Sequence, residues 1–388
     1  MRTRVLGFAV LLAGAVFTWS VRTDAHKPIT SPFTFSDDVL PIVKERCAEC
    51  HSPGGVAPMS LLTHADTVPW AESIRVELMA GHMPPWRVEG APGRFRNLAP
   101  FTAREMNVLM TWASGGTPPG KPDSEPVAVS KPQWTLGSPD MAVPLRAVTI
   151  GGDVQTQTEE FRVPLTGRPL RAVDLLPGNA SIVRRATMSI RAIADARAAG
   201  INPERLVALW LPGDHPVALD PGTGFQVPAG AELIVRVDYR KTWQFERQAV
   251  ADQSTIGLYF ADAAAAEVQV LRATNPGTSE SSAAFATTVG EDVRAVALYA
   301  DPELSGADVR VVAVRPDGAS EELIAFRPQA EWTRRYFFRE PITLPRGTRI
   351  QVTASFDGDS LLPPAAPRSE PQPGPRSLSL ALNVVRAH

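Results

Sequence analysis

Cysteine is nearly absent: two residues in 388, both inside one five-residue stretch. That count excludes a disulfide scaffold and any Cys-rich cluster. Histidine is almost as scarce, with six residues, so a base for Ser/His/Asp or other acid/base chemistry is hard to supply. No Gly-rich phosphate loop is present. Charge of one sign is lacking too: 39 Lys and Arg against 41 Asp and Glu leave a net charge of -2, which offers nucleic acid or an anionic membrane surface no electrostatic attraction. Aromatics make up only 7%, and beyond residue 20 no run is apolar enough to span a bilayer. What the chain has in excess is proline, 37 residues, which favours short strands and ordered loops over long helices. Hydrophobic content of 44% and charged content of 21% are those of a globular chain, and the length suits two to three domains.

The N-terminus has the layout of an export signal. Arg2 and Arg4 precede an apolar run over residues 5–20, and Thr23-Asp24-Ala25 offers a small-x-small cleavage site. The run is shorter than a membrane span, so residues 1–25 are expected to be a cleaved signal peptide, with an uncleaved anchor as the alternative. No cysteine follows the run, which leaves lipoprotein attachment there without an acceptor. The expected location is the periplasm, with no transmembrane span in the mature chain.

Both cysteines fall in Cys47-Ala48-Glu49-Cys50-His51. This is the spacing of c-type haem attachment: the thiols add across two vinyl groups from one helical turn, and the adjacent imidazole reaches the iron. Other readings of the pair are a thioredoxin-like redox couple, a disulfide or half a zinc site. No β-α-β pattern surrounds the motif, and no second Cys/His pair completes a zinc tetrahedron. The sequence therefore predicts one covalently attached haem c, bound by Cys47 and Cys50, with His51 as an axial iron ligand. Candidates for the other axial position are Met59, Met79, Met83, Met106, Met110, His64 and His82. Met83 is favoured, because Pro84 and Pro85 stiffen the backbone that would hold its thioether, and Trp86 can pack on the haem edge; His82 is the rival. Asp37 or Asp38 is expected to cap a helix carrying Val39, Leu40, Ile42 and Val43. Thr102-Ala103-Arg104-Glu105 reads as a capping box opening a second helix with Met106, Leu109, Met110 and Ala113 on one face, closed by Gly115-Gly116. Residues 35–118 resemble a class I-type cytochrome c domain, and the His82-Met83-Pro84-Pro85-Trp86 loop resembles the version fused to copper type II, ascorbate-dependent monooxygenase-like domains, where the corresponding methionine is the distal ligand.

Residues 120–140 are Pro/Ser/charge-rich and read as a linker. Beyond it, period-two segments recur between Pro, Gly and Asp turns, such as those at 160–164, 206–210, 232–239, 294–299, 309–314, 348–354 and 378–385. The expectation is a multi-domain chain: a small all-α unit at 26–119, then an all-β region of two jelly-roll or sandwich units at 141–275 and 276–388. A Pro-rich stretch over 362–376 reads as a surface loop. Segments 171–179, 211–213 and 227–234, with 314–318, Trp332, Tyr336 and 344–348, resemble the two halves of the peptidylglycine-monooxygenase-like copper fold. The resemblance implies histidine ligands for copper, yet this chain places Arg184-Arg185, Asp238-Tyr239-Arg240 and Asp301-Pro302-Glu303 at those positions. Arginine stays protonated and binds no cation, so copper is not expected. Arg184, Arg185, Asp238 and Arg240 are instead expected to form a salt-bridge cluster or to face solvent. His215 reads as a surface residue in a turn, and two carboxylates, Asp301 and Glu303, are too few for a Ca²⁺ site.

The functional expectation is a monohaem cytochrome that transfers single electrons, with a copper-free β-module for docking to a redox protein partner or within a larger membrane-associated complex. The alternative from another class is a haem-coupled copper monooxygenase. A structural subunit with a relay haem and a ligand sensor with an open iron are weaker readings.

Overall fold

Three hydrophobic cores organise the chain, one helical and two built from sheets. The computed structural model describes residues 30–85, 88–89, 93–98, 100–121, 133–192, 204–278, 281–356 and 376–387. The expected signal peptide, Trp86, residues 122–132 of the expected linker, His388 and nearly all of the Pro-rich loop lie outside them.

The helical core begins at Phe35–Val39, a wide turn that runs into α1 (Leu40–Arg46). Pro41 is tolerated because it occupies the first turn, where the missing amide would have had no helical partner. The cap differs from expectation. Thr34 occupies the cap position, and Asp38 reaches back to accept its backbone N–H at 2.8 Å. Two helices follow that the sequence reading did not delineate, α2 (His64–Thr67) and α3 (Ala71–Ala80); Thr63 accepts the Asp66 N–H and starts the first of them. The helix α4 (Ala103–Ser114) opens with the expected capping box and ends at Gly115. Its deepest residues are Val108, Leu109 and Trp112, whereas Met106, Met110 and Ala113 flank that stripe and are only partly buried. The Trp112 indole donates to the Pro118 carbonyl at 3.1 Å, which folds the end of the unit back on its core.

All seven period-two segments fall within or overlap antiparallel strands. In the first β unit, Thr156–Pro164, Glu232–Arg240, Val183–Arg191 and Glu204–Trp210 form a four-stranded sheet in that spatial order. It shares a core with the sheet of Met141–Pro144, Thr255–Phe260 and Leu170–Leu176. Inward Phe161 and Val163 alternate with exposed neighbours, as a half-buried strand requires. The second unit pairs a four-stranded sheet (Gln269–Thr278, Arg376–Arg386, Val293–Ala300, Tyr336–Leu344) with a five-stranded one. Gln269–Thr278, which straddles the expected boundary at 275, pairs along Arg376–Arg386 in the second unit's sheet.

Two further departures concern the expected boundaries. Val88–Glu89 adds to the edge of Ser320–Phe326, and Phe95 bridges Phe338 and is buried in the second β core. An excursion from the helical unit is thus stitched into the last third of the chain. The end of the expected linker is also held: Tyr259 donates its hydroxyl to the Gly137 carbonyl, and Asp140 accepts the Phe260 N–H. No helix among the described residues is long and apolar enough to cross a membrane.

The solvent face of the first four-stranded sheet carries a charge network in which Glu204 accepts from Arg236 and Arg191. Those guanidinium groups hold its carboxyl at about 2, well below the ordinary 4.5. An unfolded chain binds that proton more readily, so the contribution is present above about pH 4.5 and is lost as pH falls toward about 2. Denaturant unfolding across this window should show a smaller pH slope for Glu204→Gln than for the native chain.

Candidate functional site

The end of α1 shapes the cysteine motif. Cys47 and Ala48 both donate their N–H groups to the Val43 carbonyl at 2.9 Å, which widens the last turn. Cys50 and His51 then donate to the Cys47 carbonyl at 3.1 and 2.8 Å, so residues 47–51 form one closed turn, as the spacing predicted. Gly55 returns the chain: a side chain there would meet the Cys50 carbonyl oxygen at 2.5 Å, which no other residue tolerates. Ala57 and Leu61 then donate to the carbonyls of Cys50 and His51.

Cys47 and Cys50 are both free and half-buried. Burial pushes each thiol up to about 12; Arg46 opposes this at Cys47, and Glu49 reinforces it at Cys50. Such thiols stay protonated at neutral pH, the reverse of the low-pKa thiolate that a redox pair needs. Burial pushes the His51 imidazole below its ordinary value, against a hydrogen bond to the Met59 backbone, so the ring is neutral at pH 7. Its Nδ1 is buried without a hydrogen-bond partner.

The expected axial candidates divide by environment. His64 donates its Nε2–H to the Thr117 carbonyl at 2.8 Å and packs edge-on against Phe35, so its ring is part of the helical core. Met59, Met106 and Met110 pack partly buried on that core. Met79 takes a hydrogen bond from Arg75 on its sulfur. His82 pairs with Glu77 at 3.1 Å. Met83 is 41% exposed, on the same unit as the exposed Val76 and Met79.

What the sequence reading missed is the surface against which this turn packs. The first β unit touches Glu49, Cys50, Gly54, Val56 and Pro58. His215 pairs with Glu49 at 3.1 Å, which raises its pKa, and is therefore more than the plain surface residue expected. The Cys50 thiol points at the Pro212 carbonyl at 3.7 Å, and Gly213 lies so close that a Cβ would stand 3.2 Å from the sulfur. Ser181 donates to the Gly54 carbonyl, Arg184 to Val56 and Gln244 to Pro58. The Pro212-Gly213 turn is legible in sequence only as a turn; its facing partner is more than 160 residues away.

Of the four expected cluster residues only Arg185 and Asp238 ion-pair with each other, while Arg184 donates to the Arg240 carbonyl at 3.1 Å. Arg185 grips Asp238 through Nε and Nη2 at 2.8 and 2.7 Å. The partner of Arg240 is Glu331 of the second β unit at 2.8 Å, and Arg185 also donates to the Ala330 carbonyl there. Burial pushes Arg184 down to about 10, still cationic at neutral pH. Asp301 lies 3.5 Å from Arg272. Among the described residues no group of three or more His, Cys, Asp or Glu is arranged to hold a metal ion.

A second, buried pair lies beside the turn. Asp214 is ion-paired with Arg334 of the second β unit, the two side chains being 7% and 2% exposed. Asn97, from the excursion of the helical unit, accepts from Arg334 on its carbonyl at 2.9 Å and donates to the Arg335 carbonyl at 2.8 Å.

No protein-family model matches the chain, and no curated protein is a match. Among solved structures it has some likeness to a xanthan lyase from Paenibacillus, at 9% identity and a TM-score of 0.18, over 70% of this chain and 28% of that one. A protein described as an alpha-L-fucosidase from Bacteroides ovatus stands at 10% identity and a TM-score of 0.17, over 65% and 39%. The chain spans well under half the length of either, and at these TM-scores neither carries an argument about fold or activity.

Two substitutions test the docked turn. Gly213 has φ +71°, so Gly213→Ala forces a side chain into left-handed backbone and against Cys50. It should cost about 1–2 kcal/mol of stability and speed thiol labelling of Cys50 relative to Cys47. Arg185→Ala removes a half-buried bidentate pair and should cost about 1 kcal/mol in denaturant unfolding; an unchanged midpoint would mean the cluster is ornamental.

Proposed function

We propose that the chain is an exported monohaem c-type cytochrome that transfers single electrons, with a copper-free, monooxygenase-like β-module as its docking platform. The observation that carries this reading is the Cys47–His51 turn itself. It sets two protonated, unpaired thiols and a buried neutral imidazole on one hydrogen-bonded turn, with the His51 Nδ1 lacking a partner. A neutral, partly orphaned imidazole beside two free thiols fits a haem c better than a zinc or redox site, which need thiolates.

On this reading Cys47 and Cys50 would hold the haem as thioethers, and His51 and Met83 would coordinate its iron. Bound haem supplies a reversible one-electron couple, and a thioether ligand raises its potential. The protein's own contribution is positional. Burial keeps His51 unprotonated and available. The Gly55 return and the Val43 carbonyl fix the turn, and the Pro212-Gly213 loop covers the Cys50 side and excludes water from it. His82, paired with Glu77, adjoins Met83 on the remaining face. The guanidinium groups at the positions where the resemblance would put copper ligands are engaged in ion pairs and carbonyl contacts, which supports a binding role over catalysis for the β-module.

The family resemblance extends the proposal: a class I-type cytochrome c domain followed by two jelly-roll halves related to copper type II monooxygenases, located in the periplasm and partnered by a redox protein or a larger membrane-associated complex.

The test is iron and copper content per chain, with mass spectrometry, on full-length protein secreted by a host that matures haem c. One iron, no copper and a haem mass that survives denaturation is the expected result, lost in Cys47→Ser/Cys50→Ser. Met83→Ala should lower the potential and let carbon monoxide bind the reduced protein, whereas His82→Ala should do neither. Iron-free protein would sink the cytochrome reading; tightly bound copper would restore the monooxygenase.

A further inference from the structure

Neighbouring arginines at 334 and 335 have opposite circumstances. Arg334 has Asp214 as its counter-charge. Arg335 is as deeply buried, 3% exposed, and no carboxylate among the described residues pairs with it. Its Nη1 and Nη2 donate to the carbonyls of Val207 and Leu206 at 2.6 and 3.1 Å, and its Nε is buried without a partner. The rings of Tyr299, Phe225 and Phe337 surround the guanidinium at 5.1, 5.6 and 5.9 Å. Ring faces and carbonyls attract a cation but do not cancel its charge. Burial pushes Arg335 down to about 10, so it remains positive at neutral pH.

Arg335 lines a cavity of about 30 Å³ where the first β unit, the second β unit and the excursion carrying Asn97 meet. That is room for about two water-sized groups. The other charges on its wall are Arg171, Asp214 and His215. Asp214 is already matched by Arg334 and His215 by Glu49, so the local sum is positive. Asp174, on strand Leu170–Leu176, has His215 and Asp214 as its charged neighbours. The rest of the lining is largely apolar, including Val207, Leu209 and Leu219.

We propose that this cavity is a binding site for a small monovalent anion, of halide or formate size, held by the Arg335 guanidinium. A buried unpaired cation is costly, and an anion supplies both the missing counter-charge and an acceptor for the free N–H. The small volume rejects sulfate and phosphate, and the apolar wall disfavours divalent charge. Because Val207 and Asn97 come from different units, an occupied site strengthens the junction between them.

The experiment is bromide anomalous diffraction on crystals of the full chain, together with thermal unfolding in formate, chloride and sulfate at equal ionic strength. A bromide peak in contact with Arg335 is expected, with a saturable rise in Tm for formate and chloride over sulfate. Both should vanish in Arg335→Met. If that variant does not fold, the bromide map and the anion series on the native chain decide alone. Water in the cavity at high bromide, or a Tm response identical for all three salts, overturns the proposal.

Discussion

The buried Asp214–Arg334 ion pair is the contact on which the arrangement of the three cores depends. It joins the turn that covers the cysteine motif to the second β unit, and Asn97 ties the helical unit's excursion to the same point. Charges this deep are costly to separate: leaving either unpaired costs about 3–5 kcal/mol. The pair therefore acts as a latch with one acceptable geometry. An apolar contact of equal area would tolerate sliding, whereas a desolvated carboxylate and guanidinium do not. Because Asp214 adjoins Gly213, the latch also holds the Pro212-Gly213 loop against Cys50.

A second tier of polar contacts surrounds that latch and is weaker by its exposure. Glu49–His215, Arg185–Asp238 and Arg240–Glu331 are all partly solvated, and pairs of that kind contribute up to about 1 kcal/mol each. Their value is in number and placement. Arg184 and Arg185 are adjacent on one strand yet reach different units, the first the cysteine turn and the second Ala330 beside Glu331. The same strand thus serves as a bracket between the helical unit and the last third of the chain. Under the proposed function, these arginines hold the β-module against the cysteine turn, of which it becomes the wall.

The chain's own residues determined much of the local structure. Period-two patterning located the main strands, the Thr102 capping box placed α4, and the Cys-x-x-Cys-His spacing set a single turn, because each of these depends on neighbours a few residues apart. The cap at the first helix was placed on Asp37 or Asp38, whereas Thr34 occupies it, because a carboxylate in the first turn that reaches back to the cap N–H carries the same composition signal as a cap residue.

Only the tertiary structure decided what the turn packs against. Val88–Glu89 and Phe95 sit in a stretch that reads as part of the helical unit, and they leave it because the edge strand Ser320–Phe326 offers unpaired backbone groups and the second core a cavity for the ring. The roles of His215, Gly213 and Arg335 carry no sequence signature, since Glu49, Cys50 and Val207, which define them, lie more than 120 residues away, and sequence spacing encodes contacts within a helix or strand but not the meeting of separate sheets. Burial, and with it the protonated thiols, the neutral His51 and the uncompensated Arg335, belongs to that second level: it is a property of the closed assembly, fixed when three cores come together around one buried ion pair.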